Sequence, residues 1–491
     1  NSYTRLLKEN LNIDVVYDWT ASTSDYDEKM SLCIGSNTIP EIMNVNATQY
    51  RALLKYDMIQ PLDDYFDDYA SDALKSYVKS GGDELKKCIT NDEGKIMAIP
   101  APNLTAGGVN EMWIRQDWLD ALGLDVPRTW DELAEVAKAF VTRDPDGNGE
   151  NDTIGILGPG NSDHMNAVGG NQFGLDPLFS CFQSYPQYWL KGEDGSVEYG
   201  SIQPETKTAL ENISKLYADG VIDPEIIVRS DSKEPLLAGK VGIFFGPWWC
   251  AYTFADTTLS GSADWRAYFT PLSEDGKYYT HMAEPTTQYV VASKDCKNPE
   301  AAFKIINYLI ADEHTWVEDG VTSTEMGTGD FYPLYNTYDN ADEIETSYEA
   351  LTKYLAGDIS IDDVDFSTHK LLKNDMEAVT ELKEKPYDDF SLKYWNLNSD
   401  LAKTNLPRLV AIMVGDAPLV NDKYVPVYNA YNGQTETMEA KWANLKKMEE
   451  ETFAKIIMGK ADISEFDTFV KNWKSQGGDQ ILKEINDELS K

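Results

Sequence analysis

One short stretch constrains this chain more than any other: Asp144-Pro-Asp-Gly-Asn-Gly-Glu-Asn-Asp152. Side-chain oxygens stand at loop positions 1, 3 and 5 (Asp144, Asp146 and Asn148), and Asp152 stands at position 9. Glu150 at position 7 offers a backbone carbonyl, and Gly149 falls at position 6, where an EF-hand-like loop turns sharply. A hard cation wants six or more oxygens, and alternate residues of a tightly curled chain can aim theirs at one point. The spacing therefore predicts a bound Ca2+ with a structural, non-catalytic role. Position 12 is Gly155 rather than a bidentate Glu, which leaves Thr153, another carbonyl or water as the final ligand.

The loop ends a predicted amphipathic helix. Thr129 and Glu132 form a capping box, and Leu133, Val136, Ala137 and Phe140 then repeat with helical spacing. Upstream, residues 1–10 read as a helix leading to a strand at Ile13–Val16, so a leader and a first strand are expected to have been removed. A second strand is expected at Ile42–Val45, with helical spacing over Tyr26–Gly35 and Ala47–Tyr56. Further strands are expected from Ile96, at Met112-Trp113-Ile114, from Lys240 and over Tyr289–Ser293, the last followed by a helix over Pro299–Leu309. Strands alternating with helices imply an α/β fold whose parallel or mixed sheets are covered on both faces. Toward the end, the stripes Met438–Ile457, Ile463–Trp473 and Ile481–Leu489 read as three amphipathic helices packed on a core.

Composition excludes several classes. With 491 residues the chain exceeds what one hydrophobic core usually serves, so two or more lobes are expected. No apolar run reaches the ~20 residues that span a bilayer. The net charge of −40 repels nucleic acid and anionic membranes, and eight arginines are few for clamping polyanions. Five scattered cysteines with no CxxC spacing read as buried free thiols. His164, His281, His314 and His369 lack metal-ligand spacing, and no GxSxG, HExxH or Walker A motif occurs.

Trp113-Ile-Arg-Gln-Asp-Trp-Leu-Asp-Ala-Leu-Gly-Leu-Asp-Val-Pro-Arg-Thr-Trp-Asp-Glu-Leu133, followed by the acidic loop, resembles the extracellular solute-binding proteins of family 1. The nearest branch looks like the large oligosaccharide-binding lipoproteins that include the alginate-binding proteins. Lys297-Asn-Pro-Glu-Ala-Ala302, Glu449–Gly459 and Phe466–Asp479 fit the same pattern. The resemblance implies a two-lobed clamshell with a helical C-terminal extension. Its lobes are expected at 1–112 with 286–340 and at 113–285 with 341–491. It implies a monomeric, non-catalytic extracellular protein, a cell-surface lipoprotein or a periplasmic one, that closes on an oligosaccharide and delivers it to the permease subunits of an ABC importer. It also implies Ca2+ held by Asp144, Asp146, Asn148, Glu150 and Asp152.

Sugars present apolar C–H faces rimmed by hydroxyls, so a binder needs flat aromatic rings beside polar side chains. The candidates lie where strands break into loops: Trp19, Trp113, Trp248, Trp249, Tyr289, Tyr394 and Trp395, with Asn46 and Gln172 as hydroxyl partners. A neutral or weakly charged sugar suits the acidic composition better than a polyuronate. The competing reading is a carbohydrate hydrolase using paired carboxylates.

Overall fold

The computed structural model describes residues 2–22, 25–160, 172–192, 194–318, 333–334, 336–366, 369 and 371–489. Short apolar runs bounded by turn residues form β1 (Ile42–Asn46), β2 (Ile99–Pro102), β3 (Glu111–Arg115), β4 (Ile154–Ile156), β5 (Trp189–Lys191) and β6 (Val197–Tyr199). Then come β7 (Val241–Gly246), β8 (Trp265–Tyr268), β9 (Tyr278–His281), β10 (Thr286–Ala292) and β11 (Tyr424–Val427). One expected strand does not form. Ile13 and Val15 lie against a core and Val16 is 81% exposed, so the residues alternate, but no described strand pairs with them. A strand is defined by its ladder, and this segment has none.

Two compact units divide the chain. The first holds Asn1–Leu104, Glu284–Glu343 and Ile361–Asn374; the second holds Thr105–Ala283, Ile344–Ser360 and Asp375–Lys491. The first change of unit falls at 104/105 rather than 112/113, because Glu111 and Met112 of β3 pair with Gly246 and Phe245 of β7. His164 lies outside the described residues, as does the side chain of His314.

The first unit's sheet runs β1-β10-β2 and is antiparallel throughout, not parallel or mixed. Its central strand, β10, comes from sequence far beyond both neighbours and enters between them in the opposite sense. Alternate residues of β10 cover both faces. Val290 and Ala292 meet Phe303 and Ile306 of the helix Glu300–Glu318, whereas Tyr289 and Val291 meet Met43, Val45 and Leu53.

The second unit's main sheet runs β4-β7-β3-β8, with β4 parallel to β7 and the other pairs antiparallel, so it is mixed as expected. The helix Trp130–Thr142 forms with its Thr129–Glu132 capping box in place and buries Leu133, Val136, Ala137 and Phe140 against this sheet. The C-terminal stripes become the helices Glu436–Ile457, Glu465–Trp473 and Asp479–Leu489, whose apolar residues join the same core. Two contacts fix them. Trp473 stacks on Tyr199 at 4.7 Å, and the buried Glu449 accepts hydrogen bonds from Tyr199 and Ser201, each at 2.8 Å. A Cβ at Gly478 would lie 2.1 Å from the Trp473 ring, so only glycine admits this approach. All five cysteines are free, four of them buried. No described helix is long and apolar enough to cross a membrane.

Candidate functional site

The acidic loop is built by its neighbours. The capped helix ends at Arg143, and Asp144, Gly147 and Gly149 then take left-handed backbone angles (φ 45°, 69° and 80°), curling the chain. The exit is pinned by the buried Thr153, whose hydroxyl donates to the Phe140 carbonyl at 2.7 Å. Thr153 therefore closes the loop and its hydroxyl is already engaged. Inside the curl, Asp144 accepts from the backbone N–H of Asn148 and of Gly149, both at 3.1 Å. The Asn148 amide donates to Asp146 at 2.9 Å and to Asp152 at 3.2 Å. The Lys240 ammonium lies 2.8 Å from the other Asp152 oxygen.

Electrostatics matches this arrangement. The Asp146 carboxyl is raised by burial and then by neighbouring Asp144, whereas Lys240, followed by Asn148, holds Asp152 low. Among the described residues, no three His, Cys, Asp or Glu side chains gather closely enough to hold an ion. The carboxylates instead surround the Asn148 amide. The donor set is nevertheless all oxygen once that amide turns, which is the chemistry a hard cation needs.

The aromatic candidates separate into core and surface. Trp113 is 0% exposed, with its N–H on the Pro247 carbonyl and its ring against Phe244 and Phe254. It is a core residue, which corrects its assignment as a sugar platform; the inward face of β3 leaves it no open side. Tyr289, 3% exposed, stacks on Tyr50 at 4.4 Å and is likewise core.

Tyr394 and Trp395 are engaged differently. Together with Tyr387 and Phe390 they box the Lys383 ammonium, whose distances to the Tyr394 and Trp395 rings are 5.4 and 5.8 Å. The ammonium donates to the carbonyls of Glu384 and Pro386 at 2.7 Å, and burial pushes its pKa down to about 8. Trp395 is 5% exposed. These two rings bind the protein's own cation, a use no local sequence signal reveals.

Two groups of candidates remain. At the end of β7, Gly246-Pro247 stops the strand and Trp248–Cys250 forms a single 3-10 turn. Adjacent indoles cannot share one pocket: Trp248 is buried and Trp249 half-buried. Gln172 lies at the same turn, its backbone close to Gly246 and its amide on Thr253. In the first unit, Trp19 contacts Tyr26 at 5.3 Å with the Lys29 ammonium 5.9 Å from its ring. Asn46 caps the helix Ala47–Lys55 and donates to Asp27 at 3.1 Å, which places it on the same patch.

Sequence reasoning passed over Glu111 and Asp416. Glu111 shares its strand face with Trp113, and a Cβ at Gly415 would lie 2.9 Å from that indole, so the two carboxyls are neighbours. Both residues are 0% exposed, and none of their four carboxyl oxygens accepts a hydrogen bond among the described residues. Burial, then Asp416, raises Glu111; burial, then Glu345, pushes Asp416 up to about 9. An acid preceding an apolar strand gives only a faint signal, and Asp416 gives none.

Known proteins share this organisation. Residues 3–316 match the family described as bacterial extracellular solute-binding protein. The fructooligosaccharide ABC transporter substrate-binding protein FusA of Streptococcus pneumoniae serotype 4 (strain ATCC BAA-334 / TIGR4) is 32% identical over 259 residues. That alignment spans 49% of this chain and 45% of FusA. Lipoprotein LipO of Bacillus subtilis (strain 168) is 23% identical over 507 residues, covering 98% of this chain and 87% of LipO.

Among solved structures, the alginate-binding protein AlgQ2 without calcium ion aligns with a TM-score of 0.60 at 17% identity, covering 100% of this chain and 94% of that one. A FusA EF-hand mutant from S. pneumoniae, in complex with fructo-nystose, aligns at 0.55 and 19% identity, over 98% and 93% of the two chains. At these identities the structural likeness establishes the fold. The family match establishes a binding role without catalysis and sets aside the hydrolase alternative. By sequence over residues 3–316, the chain belongs to the bacterial extracellular solute-binding proteins.

Proposed function

We propose that this chain is the substrate-binding subunit of an ABC importer and that it holds a neutral or weakly charged oligosaccharide. The observation that carries this reading is the turn after β7, where the Trp249 indole is only half-buried and Gln172 packs its backbone near Gly246 with its amide on Thr253. An accessible ring and an amide on one turn suit a sugar, whose C–H face stacks on a ring while its hydroxyls seek amides. Trp19 and Asn46 form a second candidate contact patch. FusA, described as a fructooligosaccharide-binding transporter component, supports the ligand class, and net charge −40 disfavours a polyuronate. The description of LipO as a lipoprotein supports anchoring at the cell surface, and permease subunits are the expected partners. The subunit is proposed to act as a monomer.

Calorimetric titration with fructo-, xylo- and malto-oligosaccharides, alongside oligogalacturonates, tests the assignment. A neutral oligosaccharide should bind in the micromolar range, ~8 kcal/mol, and be recovered intact by chromatography. Trp249→Ala should weaken that binding about tenfold, the loss of one stacking platform. Released shorter sugars, or an unaltered affinity in the variant, would count against the reading.

The loop is proposed to hold Ca2+ through the side chains of Asp144, Asp146, Asn148 and Asp152 and the Glu150 carbonyl. A bound ion would supply charge neutralisation for the clustered carboxylates and keep the loop curled. AlgQ2, described without calcium ion, and FusA, described as an EF-hand mutant, support the calcium reading. Excess chelator should lower the melting temperature by a few degrees, with recovery on adding calcium. Elemental analysis finding no metal, together with a chelator-insensitive melt, would remove this part of the proposal.

A further inference from the structure

The ion pair between Lys240 and Asp152 is not part of the loop motif, and its origin lies in the sheet. Ile154 of β4 pairs with Val241 of β7, and the Ile154 N–H donates to the Lys240 carbonyl at 2.7 Å. That parallel register fixes the Lys240 backbone beside the loop's exit. Its ammonium then lies 2.8 Å from one oxygen of Asp152, whose other oxygen accepts from the Asn148 amide. Every oxygen of the last acidic side chain in the curl is thus in use by the protein itself.

We propose that Lys240 is a built-in counterion of the Asp144–Asp152 loop, competing with a divalent cation for Asp152 and thereby setting the loop's metal affinity. The inference rests on the calcium reading above and deepens it. Affinity in such loops follows the count of ligand charges. The stretch carries Asp144, Asp146, Glu150 and Asp152, and one fixed ammonium at contact distance offsets one of these charges. A cation that takes Asp152 must displace Lys240 or share the carboxylate with it. Without a cation, the same ammonium relieves the repulsion among the acids. Lys240 therefore weakens metal binding and lessens the loop's dependence on metal, both through one contact.

Lys240→Met keeps the aliphatic stem and removes the charge; Lys240→Arg keeps the charge. Calcium titration by calorimetry on decalcified protein, with melting curves in chelator and in calcium, separates the possibilities. Lys240→Met should bind calcium about tenfold more tightly than the parent. It should also melt lower in chelator and show a larger calcium-induced rise. Lys240→Arg should behave like the parent. Equal or weaker calcium binding by Lys240→Met, in a parent that does bind calcium, overturns the role of Lys240 and leaves the metal assignment standing. Absence of calcium binding in both proteins overturns the metal assignment and this inference together. Binding seen only in Lys240→Met supports the counterion role in its strongest form.

Discussion

Asp416→Asn should raise the unfolding free energy by ~3 kcal/mol at pH 8 and change it little at pH 4. Asp416 is buried, and its carboxyl is pushed up to about 9, first by burial and then by Glu345. In the unfolded chain an Asp titrates near ~3.9. Between those values the native protein keeps a proton that the unfolded chain has released. The contribution to stability is therefore complete at low pH and declines as pH rises from about 4 toward 9. The groups facing Asp416 are Glu111 from β3, Glu345 from the helix Glu343–Ala356 and Tyr424 from β11. All three are acids, so none offers a compensating charge.

Asparagine does not titrate in either state and removes this part of the pH dependence. The raised Glu111 and Glu449 contribute with the same sign and remain in the variant. Urea unfolding at pH 5 and pH 8 should show the parent losing stability between the two and the variant losing less. An Asp416→Asn protein destabilised at pH 8 would mean that the carboxylate is ionised and well partnered, contrary to its surroundings here.

Trp473→Ala should cost ~4 kcal/mol, the usual range for emptying a buried indole site. The ring is 0% exposed, lies parallel to Tyr199 at 4.7 Å and carries Gly478 against its face. Backbone contact at Gly478 limits how far the site can collapse, which keeps the cost high. Because Tyr199 also donates to the buried Glu449, loss of the stack should loosen the attachment of the helix Glu436–Ile457 as well. The expected result is a lower urea midpoint and faster protease cleavage near Gly459, between the first two C-terminal helices. Trp473→Phe should lose about half as much. An unchanged midpoint for the alanine variant would show that these helices do not belong to the core of the second unit.

Local features were largely legible in the residues. The helix at Trp130–Thr142 follows from a capping box and a repeat of 3.6, both of which act within a few residues. The curl of the acidic loop follows from glycines and an aspartate that tolerate left-handed angles. Family membership also came from contiguous residues, since Trp113–Leu133 and the loop stand in one order on one stretch. The extended segment at Ile13–Val16 has strand-like alternation, yet pairing needs a partner that local sequence does not supply. Trp113 lies in the middle of β3 and is fully buried, whereas Trp249 lies in the turn after β7 and is half-buried, a difference local sequence does not announce.

Residues near one another in the chain were enough for the capped helix, the C-terminal helices, the acidic loop and the family, because capping, periodicity and backbone preference are short-range. Only the tertiary structure decided which candidate indoles are buried, that Lys383 occupies its own aromatic box, that Lys240 reaches Asp152, and that Glu111 and Asp416 share a buried interior. Each of those outcomes depends on strand register and packing between residues far apart in the chain. The free energy of a charge or a ring is set by such neighbours, and those neighbours exist only once the chain has folded.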